Sequence, residues 1–344
     1  MRLVLDPAED AAHAGWLRET PGAYEWWYFD ALSDDGQWAL ACVWFLGNPF
    51  SPYYRMAARG VPADPADHNA LFFALYRHGR LHAYHFTRFP SGDVEAPERL
   101  PGVLNFGPNR LVWPAQSGCR LTLSDENANR RRLEADLSFA SPPLVASSVL
   151  SDTAGETHFW LPAAPACLVS GTIRLWDAQN AGAEVIRFSG LGYHDHNWGR
   201  LPFDADIRDW YWARAALGGG RAAILYHVRY HGKREPVSHL LLFERGCLLR
   251  HAPNARVTLS RPRVNGFGTI YATRLAAQDG DVRVVFQLGG RLDSAPFYVR
   301  ALCDARSEEG GGVETGRGIG EYLRPRVMSW PLVASAMKAR IVEG

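Results

Sequence analysis

Glu25-Trp26-Trp27-Tyr28-Phe29-Asp30-Ala31, then Asp34-Asp35-Gly36, then Trp38 to Leu46, is the stretch on which the fold reading turns. An aromatic run, a turn signal ending in glycine and an apolar run make a β-hairpin. Aromatic and β-branched residues suit a pleated surface, and Asp-Gly permits the positive φ of a tight turn. The pattern returns. With Glu25 set against Asp209 and both run forward without gaps for 22 residues, Trp26 meets Trp210, Trp27 meets Tyr211 and Tyr28 meets Trp212. Gly36 then meets Gly220, and Leu40 meets Ile224. An acid, three aromatics, a glycine-centred turn and an apolar strand, repeated at an offset of 184 residues (209 minus 25), imply two related β-domains. Their boundary falls within residues 177–188 and is taken as 1–184 and 185–344.

Outward from that hairpin the chain continues in the same style. Residues 71–76 and 81–89 flank His78-Gly79 as another hairpin, and 112–113, 120–123, 132–139 and 167–176 extend the series. Helical periodicity is confined to 331–342, where a short terminal helix is expected. Many short strands separated by Gly/Pro turns indicate an all-β protein built of antiparallel sandwiches or barrels. Residues 1–22 read as an irregular lead-in, and the Pro-rich stretch 48–67 as a lid or pocket rim.

Bulk composition narrows the function. The 344 residues carry 37 basic and 36 acidic side chains, a net charge of +1, which disfavours nucleic acid or an acidic membrane as the main partner. Twelve tryptophans supply flat apolar area suited to ligand pockets as well as cores. The five cysteines form no CxxC pair and read as buried free thiols of a reducing compartment. Residues 1–15 lack the apolar centre of a signal peptide, and no apolar run approaches the ~20 residues that cross a bilayer. A cytoplasmic location is expected.

Chemistry concentrates in Tyr193-His194-Asp195-His196-Asn197-Trp198-Gly199 and in Asp209-Trp210-Tyr211-Trp212-Ala213-Arg214. If extended, the first stretch sends Tyr193, Asp195 and Asn197 to one face and His194, His196 and Trp198 to the other. A His-x-His pair could ligate a metal, but no third ligand stands out, so no metal is expected. Two imidazoles beside an indole suit proton transfer or water orientation. The plain alternative is a turn stabilised by Asp195 and Asn197. In the second stretch Trp210 and Trp212 share a face opposite Tyr211, while Glu25, Trp27 and Phe29 alternate with Trp26, Tyr28 and Asp30. Two such strands are either core or the walls of a pocket for an apolar ligand. Ring faces stabilise a developing cation, and a carboxyl held among rings has a raised pKa and can act as a general acid. Gly310-Gly311-Gly312 and Gly316-x-Gly318-x-Gly320 read as a loop leading into Glu321-Tyr322, and Arg130-Arg131-Arg132 as solvated. With no GxSxG, catalytic Cys/His signature or dinucleotide fingerprint, no cofactor is expected.

Taken together, Glu25-Trp26-Trp27-Tyr28, Gly192 to Gly199, Asp209-Trp210-Tyr211-Trp212 and Gly318-Ile319-Gly320-Glu321-Tyr322 resemble the carotenoid 1,2-hydratase (hydroxyneurosporene synthase) family. That family sits within a lipocalin-like group that includes AttH-type proteins and fungal and bacterial cyclases. The resemblance runs from about residue 20 to 330 and is most specific at His194 to Gly199. It implies two lipocalin-like antiparallel β-domains with the active site between them, and a cofactor-independent reaction on an apolar polyene. By position it carries over His196 and Trp198. On the strand Ile224-Leu225-Tyr226-His227-Val228, Tyr226 matches the family's tyrosine, and His227 stands where its acid would be sought.

The expected reaction is addition of water to a terminal C=C of an isoprenoid. Asp195 first, then Glu321 or Asp30, would protonate the alkene. Trp198, Trp210 and Tyr211 would stabilise the cation, and His194 or His196 would orient water. Asn197, Trp212, Tyr226, His227, Glu25, Trp27 and Tyr28 complete the expected substrate site. Two alternatives stand beside it: a cofactor-free cyclase or isomerase, and a non-catalytic carrier of an apolar ligand. The expected partner is an apolar small molecule and not nucleic acid, with peripheral membrane contact to collect substrate. The sequence leaves the oligomeric state open.

Overall fold

Around Gly36, at φ +69°, the Tyr24–Ser33 and Trp38–Leu46 strands pair antiparallel. Around Gly220, at φ +82°, Ile207–Leu217 pairs with Arg221–Tyr230 in the same way. Both turns use the left-handed region that glycine enters without steric cost. The repeated sequence is therefore a repeated hairpin. These strands belong to a computed structural model that describes residues 1–12, 20–57, 64–96, 102–114, 118–145, 157–177, 182–202, 204–338 and 341–343.

Two curled antiparallel sheets hold about two thirds of these residues. The first runs, edge to edge, through Val342–Glu343, Arg80–Phe89, Asn69–Arg77, Trp38–Leu46, Tyr24–Ser33, Glu184–Gly199, His158–Trp176 and Arg132–Ala140, and on to Val94–Glu95. The second runs Cys247–Pro253, Val237–Glu244, Arg221–Tyr230, Ile207–Leu217, Gly312–Leu323, Tyr298–Glu309, Val282–Ala295, Ile270–Asp279 and Arg256–Val264. The chain passes from one sheet to the other between Gly199 and Ile207. The Glu184–Gly199 strand thus lies wholly in the first sheet, beyond the expected division at 184/185. Among the described residues no helix is long and apolar enough to cross a membrane.

Period-two alternation sends neighbours on one strand to different cores. Trp27, Phe29 and Trp44 fill the hollow of the first sheet. Tyr211, Leu225 and Tyr322 fill that of the second. Trp26, Tyr28, Trp160, Tyr193, Trp212 and Tyr226 pack between the two. Glu184–Gly199 records the change along its length: exposed and buried residues alternate up to Leu191, and from Gly192 onward every residue is buried. There both faces are covered, so the sequence stops alternating polar with apolar. In the partner strand His158–Trp176, Pro162 and Pro165 fall in the two register shifts, between Leu161 and Ala164 and between Ala164 and Cys167, where a ladder donor can be lost.

Several expectations are corrected. The glycine-rich 316–320 segment is no loop: Gly312–Leu323 is a strand pairing on both sides. Its glycines permit close approach, since a Cβ at Gly318 would sit 1.8 Å from the Arg214 carbonyl oxygen. The N-terminus is not a loose lead-in. Arg2–Leu3 pairs parallel with Phe159–Trp160, and the short helix Ala8–Ala12 follows. The 48–67 stretch holds the helix Pro52–Ala57, and its residues 58–63 lie outside the described residues. Four cysteines are buried, but Cys247 is exposed. The terminal helix is Pro331–Lys338, and Arg130 to Arg132 are exposed.

Candidate active site

Between the sheets lies a cavity of about 280 Å³ walled by Trp26, Tyr28, Phe45, Phe86, Trp210 and Tyr298. Arg300 and Glu321 form its polar end. They stand directly opposite each other on paired strands, and Arg300 Nε donates to Glu321 Oε1 at 2.8 Å. Tyr28 lies against the same carboxylate, its hydroxyl 3.1 Å from Glu321 Oε1 and 3.0 Å from Asp30 Oδ2. Asp30 in turn pairs with Arg214 from the second sheet. Burial raises the Asp30 carboxyl above its ordinary range, opposed by Arg214. Arg300 also donates to the Tyr76 hydroxyl at 3.2 Å. Two carboxyl groups, two guanidiniums and two phenols thus meet at and just behind the floor of an aromatic slot.

Asp195 lies behind this wall rather than on it. Its Oδ2 accepts from the Tyr193 hydroxyl at 2.8 Å and Trp160 Nε1 at 3.0 Å, and its Oδ1 from Asn197 Nδ2 at 2.7 Å. Burial pushes its carboxyl up to about 7, although the Tyr193 and Trp160 donors pull the other way. Tyr28, Trp212 and Tyr193 stack edge to face and tilted at centroid separations of 5.1–6.3 Å, where Tyr193 joins Asp195 to the cavity wall. Tyr226, on the same face of its strand, meets Trp160 at 4.8 Å and bonds His158 Nε2 at 3.0 Å. Burial and the N-terminal ammonium hold His158 well below its usual value.

The two expected histidines face the other way, into the first sheet's hollow. His194 stacks on Phe29 at 4.1 Å, donates from Nδ1 to the Tyr28 carbonyl at 2.9 Å, and reaches Asp10 at 3.0 Å through Nε2. Burial disfavours its charge, but the Asp10 carboxylate outweighs that and holds His194 well above its usual value. His196 stacks on Trp27 at 4.6 Å and bonds Glu25 Oε1 at 2.8 Å. The structure therefore separates His194, His196, Glu25 and Trp27 from the cavity, because successive residues of one strand point to opposite faces. Trp198 goes with them, packed on Phe159 and His196. Tyr211 and His227 face the second sheet's hollow. Tyr211 accepts from Ala272 N–H, and His227 bonds Ser238 with its pKa lowered to about 4 by burial.

Of the expected set, Tyr28, Trp210 and Glu321 line the cavity, with Asp30 directly behind them and Trp212, Asp195, Asn197 and Tyr226 one layer further back. The sequence reading missed Arg300, Tyr298, Trp160, His158 and Asp10. The first two were readable only once Tyr298–Glu309 and Gly312–Leu323 were recognised as a hairpin. Asp10, His194 Nε2 and the Cys119 thiol also converge within 4.8 Å, a third-ligand set that local spacing could not reveal. The separation of His194 from Asp10 is that of an ion pair.

Two curled antiparallel sheets with an aromatic slot between them define a lipocalin-like β fold. The fold matches the crystal structure of an AttH protein from Nitrosomonas europaea with a TM-score of 0.57 and 16% identity, over 87% of this chain and 92% of that one. The family model described as carotenoid hydratase CrtC matches residues 42–342, and the chain belongs to that family. A hydroxyneurosporene dehydrogenase of Chlorobaculum tepidum is 30% identical over 352 residues, 96% of this chain and 91% of that protein. An acyclic carotenoid 1,2-hydratase of Thiocapsa roseopersicina is 32% identical over 293 residues, 84% of this chain and 66% of that protein. A quinolone epoxide rearrangement protein of Emericella nidulans is 41% identical over 209 residues, 57% of this chain and 51% of that protein.

Proposed function

We propose that this chain is a hydratase that adds water to the terminal C=C of an apolar isoprenoid without a cofactor. The observation that carries the reading is the slot itself: aromatic walls ending in the Glu321–Arg300–Tyr28 cluster, in a member of a hydratase family. A volume of about 280 Å³ sits at the low end of ligand pockets, so the slot takes the end of an isoprenoid rather than a whole polyene.

The proton and the water come from different groups in this proposal. Asp195 is the donor. A carboxyl whose value is pushed up to about 7 is partly neutral at that pH, whereas Glu321 is paired with the Arg300 guanidinium at 2.8 Å. Asp195 delivers its proton to the less substituted alkene carbon when the Tyr28–Trp212 edge contact opens. The positive charge then falls on the tertiary carbon, faced by Trp26, Trp210 and Tyr28. Glu321 orients water against that carbon and takes its proton, leaving the tertiary alcohol. Exclusion of bulk water supplies much of the acceleration. His194 and His196 have no part in these steps, because they lie on the far side of the strand.

A second reading is favoured by the similarity to the quinolone epoxide rearrangement protein: the same acid and ring faces could steer a rearrangement that takes up no water. Turnover of a short acyclic isoprenoid in ¹⁸O-labelled water separates the two. Label in an alcohol product, lost in Asp195→Asn and Glu321→Gln, is the expected result; an unlabelled isomer would establish the second reading. Full activity after exhaustive chelation is expected, and its loss would refute cofactor independence.

A further inference from the structure

The rim of the cavity carries large apolar side chains that are exposed among the described residues. Val264, Phe267 and Ile270, at the tip of the hairpin joining Arg256–Val264 to Ile270–Asp279, are 62%, 58% and 64% exposed. Across the mouth, Trp330 and Leu332 are 56% and 86% exposed. Phe267 and the inner face of the Pro331–Lys338 helix, through Val333, Ala336 and Met337, both line the cavity. A soluble surface tolerates single exposed apolar residues, but a cluster around one opening marks a contact site.

This rim is built, not loose. Asn265 Oδ1 accepts from the Phe267 and Thr269 backbone N–H groups at 2.9 Å each. Asn265 Nδ2 donates to the Ala295 carbonyl at 2.9 Å, and the Thr269 hydroxyl bonds the Pro296 carbonyl. From the other side, the Arg324 N–H donates to the Phe297 carbonyl at 2.8 Å. Both exposed segments are therefore pinned to the single 295–297 loop that lines the cavity.

Charge tells what docks there. Arg263, Arg324 and Arg326 are exposed beside these apolar residues in the chain, and residues 262–270 and 324–338 contain no Asp or Glu, while Asp293 and Glu321 lie inside on the cavity lining. The near-zero net charge, 37 basic against 36 acidic residues, thus conceals a local basic excess along the two apolar rim segments. Apolar side chains flanked by cations fit a lipid surface with anionic headgroups, into which the apolar groups insert while the arginines stay at headgroup level. We propose that this rim docks the protein on an anionic bilayer, with the cavity opening onto the lipid. The proposal deepens the isoprenoid reading by naming the phase that delivers the substrate, and it rests on that reading only for the direction of substrate transfer.

Co-sedimentation of the purified full chain with vesicles tests it, using phosphatidylcholine alone against an equal mixture with phosphatidylglycerol. The chain is expected to bind the mixed vesicles, more weakly as salt rises. A Val264→Ser, Ile270→Ser, Leu332→Ser variant is expected to bind roughly tenfold more weakly, and an Arg263→Glu, Arg326→Glu variant likewise. None of these residues lines the cavity, so turnover of a short detergent-dispersed isoprenoid should match the parent in both variants. Equal binding to neutral and mixed vesicles, or unchanged binding by the variants, overturns the proposal. So does a dimer dissolved by the same substitutions without vesicle binding, which would make the rim a self-association face. Vesicle binding without isoprenoid turnover would instead refute the hydratase reading and leave the docking intact.

Discussion

Asp30 and Arg214, 184 residues apart, occupy equivalent positions in the two repeated hairpins and are bonded to each other across the sheet interface. The same offset relates Tyr28 to Trp212, which meet edge to face at 5.4 Å, and Trp26 to Trp210, which share the cavity wall. The repeat is thus the contact: each copy of the aromatic strand packs against the other. Neither member of the ion pair is more than 1% exposed, so removing one strands a buried charge. Asp30→Asn or Arg214→Met should each cost about 3–5 kcal/mol of stability, and the double variant clearly less than their sum. Denaturant melts of all four proteins check this; additive losses would show that the two residues act independently.

Asp195 should make stability depend on pH. Its folded value of about 7 lies above the ordinary 3.8, so the native state holds its proton longer than the unfolded chain does. Its contribution is therefore fully present below pH 4 and is lost as pH rises through 7, by on the order of a few kcal/mol. The stability difference between parent and Asp195→Asn should slope across pH 4 to 7 and flatten outside it. A constant difference would show that the carboxyl is not perturbed.

How much of this was legible depends on how locally it is encoded. Gly36, His78-Gly79 and the Trp26-Trp27-Tyr28 run speak for their own hairpins, because turn chemistry and alternation act over a few residues. The alternation also placed Asp195 and His194 on opposite faces. The sequence could not say that one face meets the second sheet and the other meets the Ala8–Ala12 helix, because sheet packing joins residues with no common period. Arg300 stayed hidden for another reason: its partner Glu321 lies on a strand whose glycines mimic a loop. Glycine there serves strand proximity, which leaves no hydrophobic pattern to read.

That proximity is itself testable. A Cβ at Gly318 would meet the Arg214 carbonyl oxygen at 1.8 Å, a backbone atom that cannot swing aside. Gly318→Ala should push the two strands apart and cost about 1–3 kcal/mol. It should also disturb the Arg214–Asp30 pair, so its penalty should shrink in the Asp30→Asn, Arg214→Met background. Thermal melts in both backgrounds measure the coupling. An unaffected melting point would show that the strands are not held so closely.

The last prediction concerns the Asp10–His194 pair, which ties the N-terminal helix into the first sheet's hollow. His194 is raised well above 6.5 in the fold, so its share of stability is present below that value and is lost as pH climbs through the folded one. Asp10 is lowered, because the attraction of His194 overcomes the opposing effect of burial. Its share is present above 3.8 and is lost as pH falls through the folded value. The two slopes enclose a plateau. His194→Gln should therefore destabilise the protein by about 3–5 kcal/mol between roughly pH 4 and 6.5, with the difference narrowing on both sides. Denaturant melts from below pH 4 to well above pH 6.5, paired with hydrogen exchange of residues 8–12, distinguish this from a simple packing defect: loss of packing would shift stability equally at every pH and leave the N-terminal helix protected.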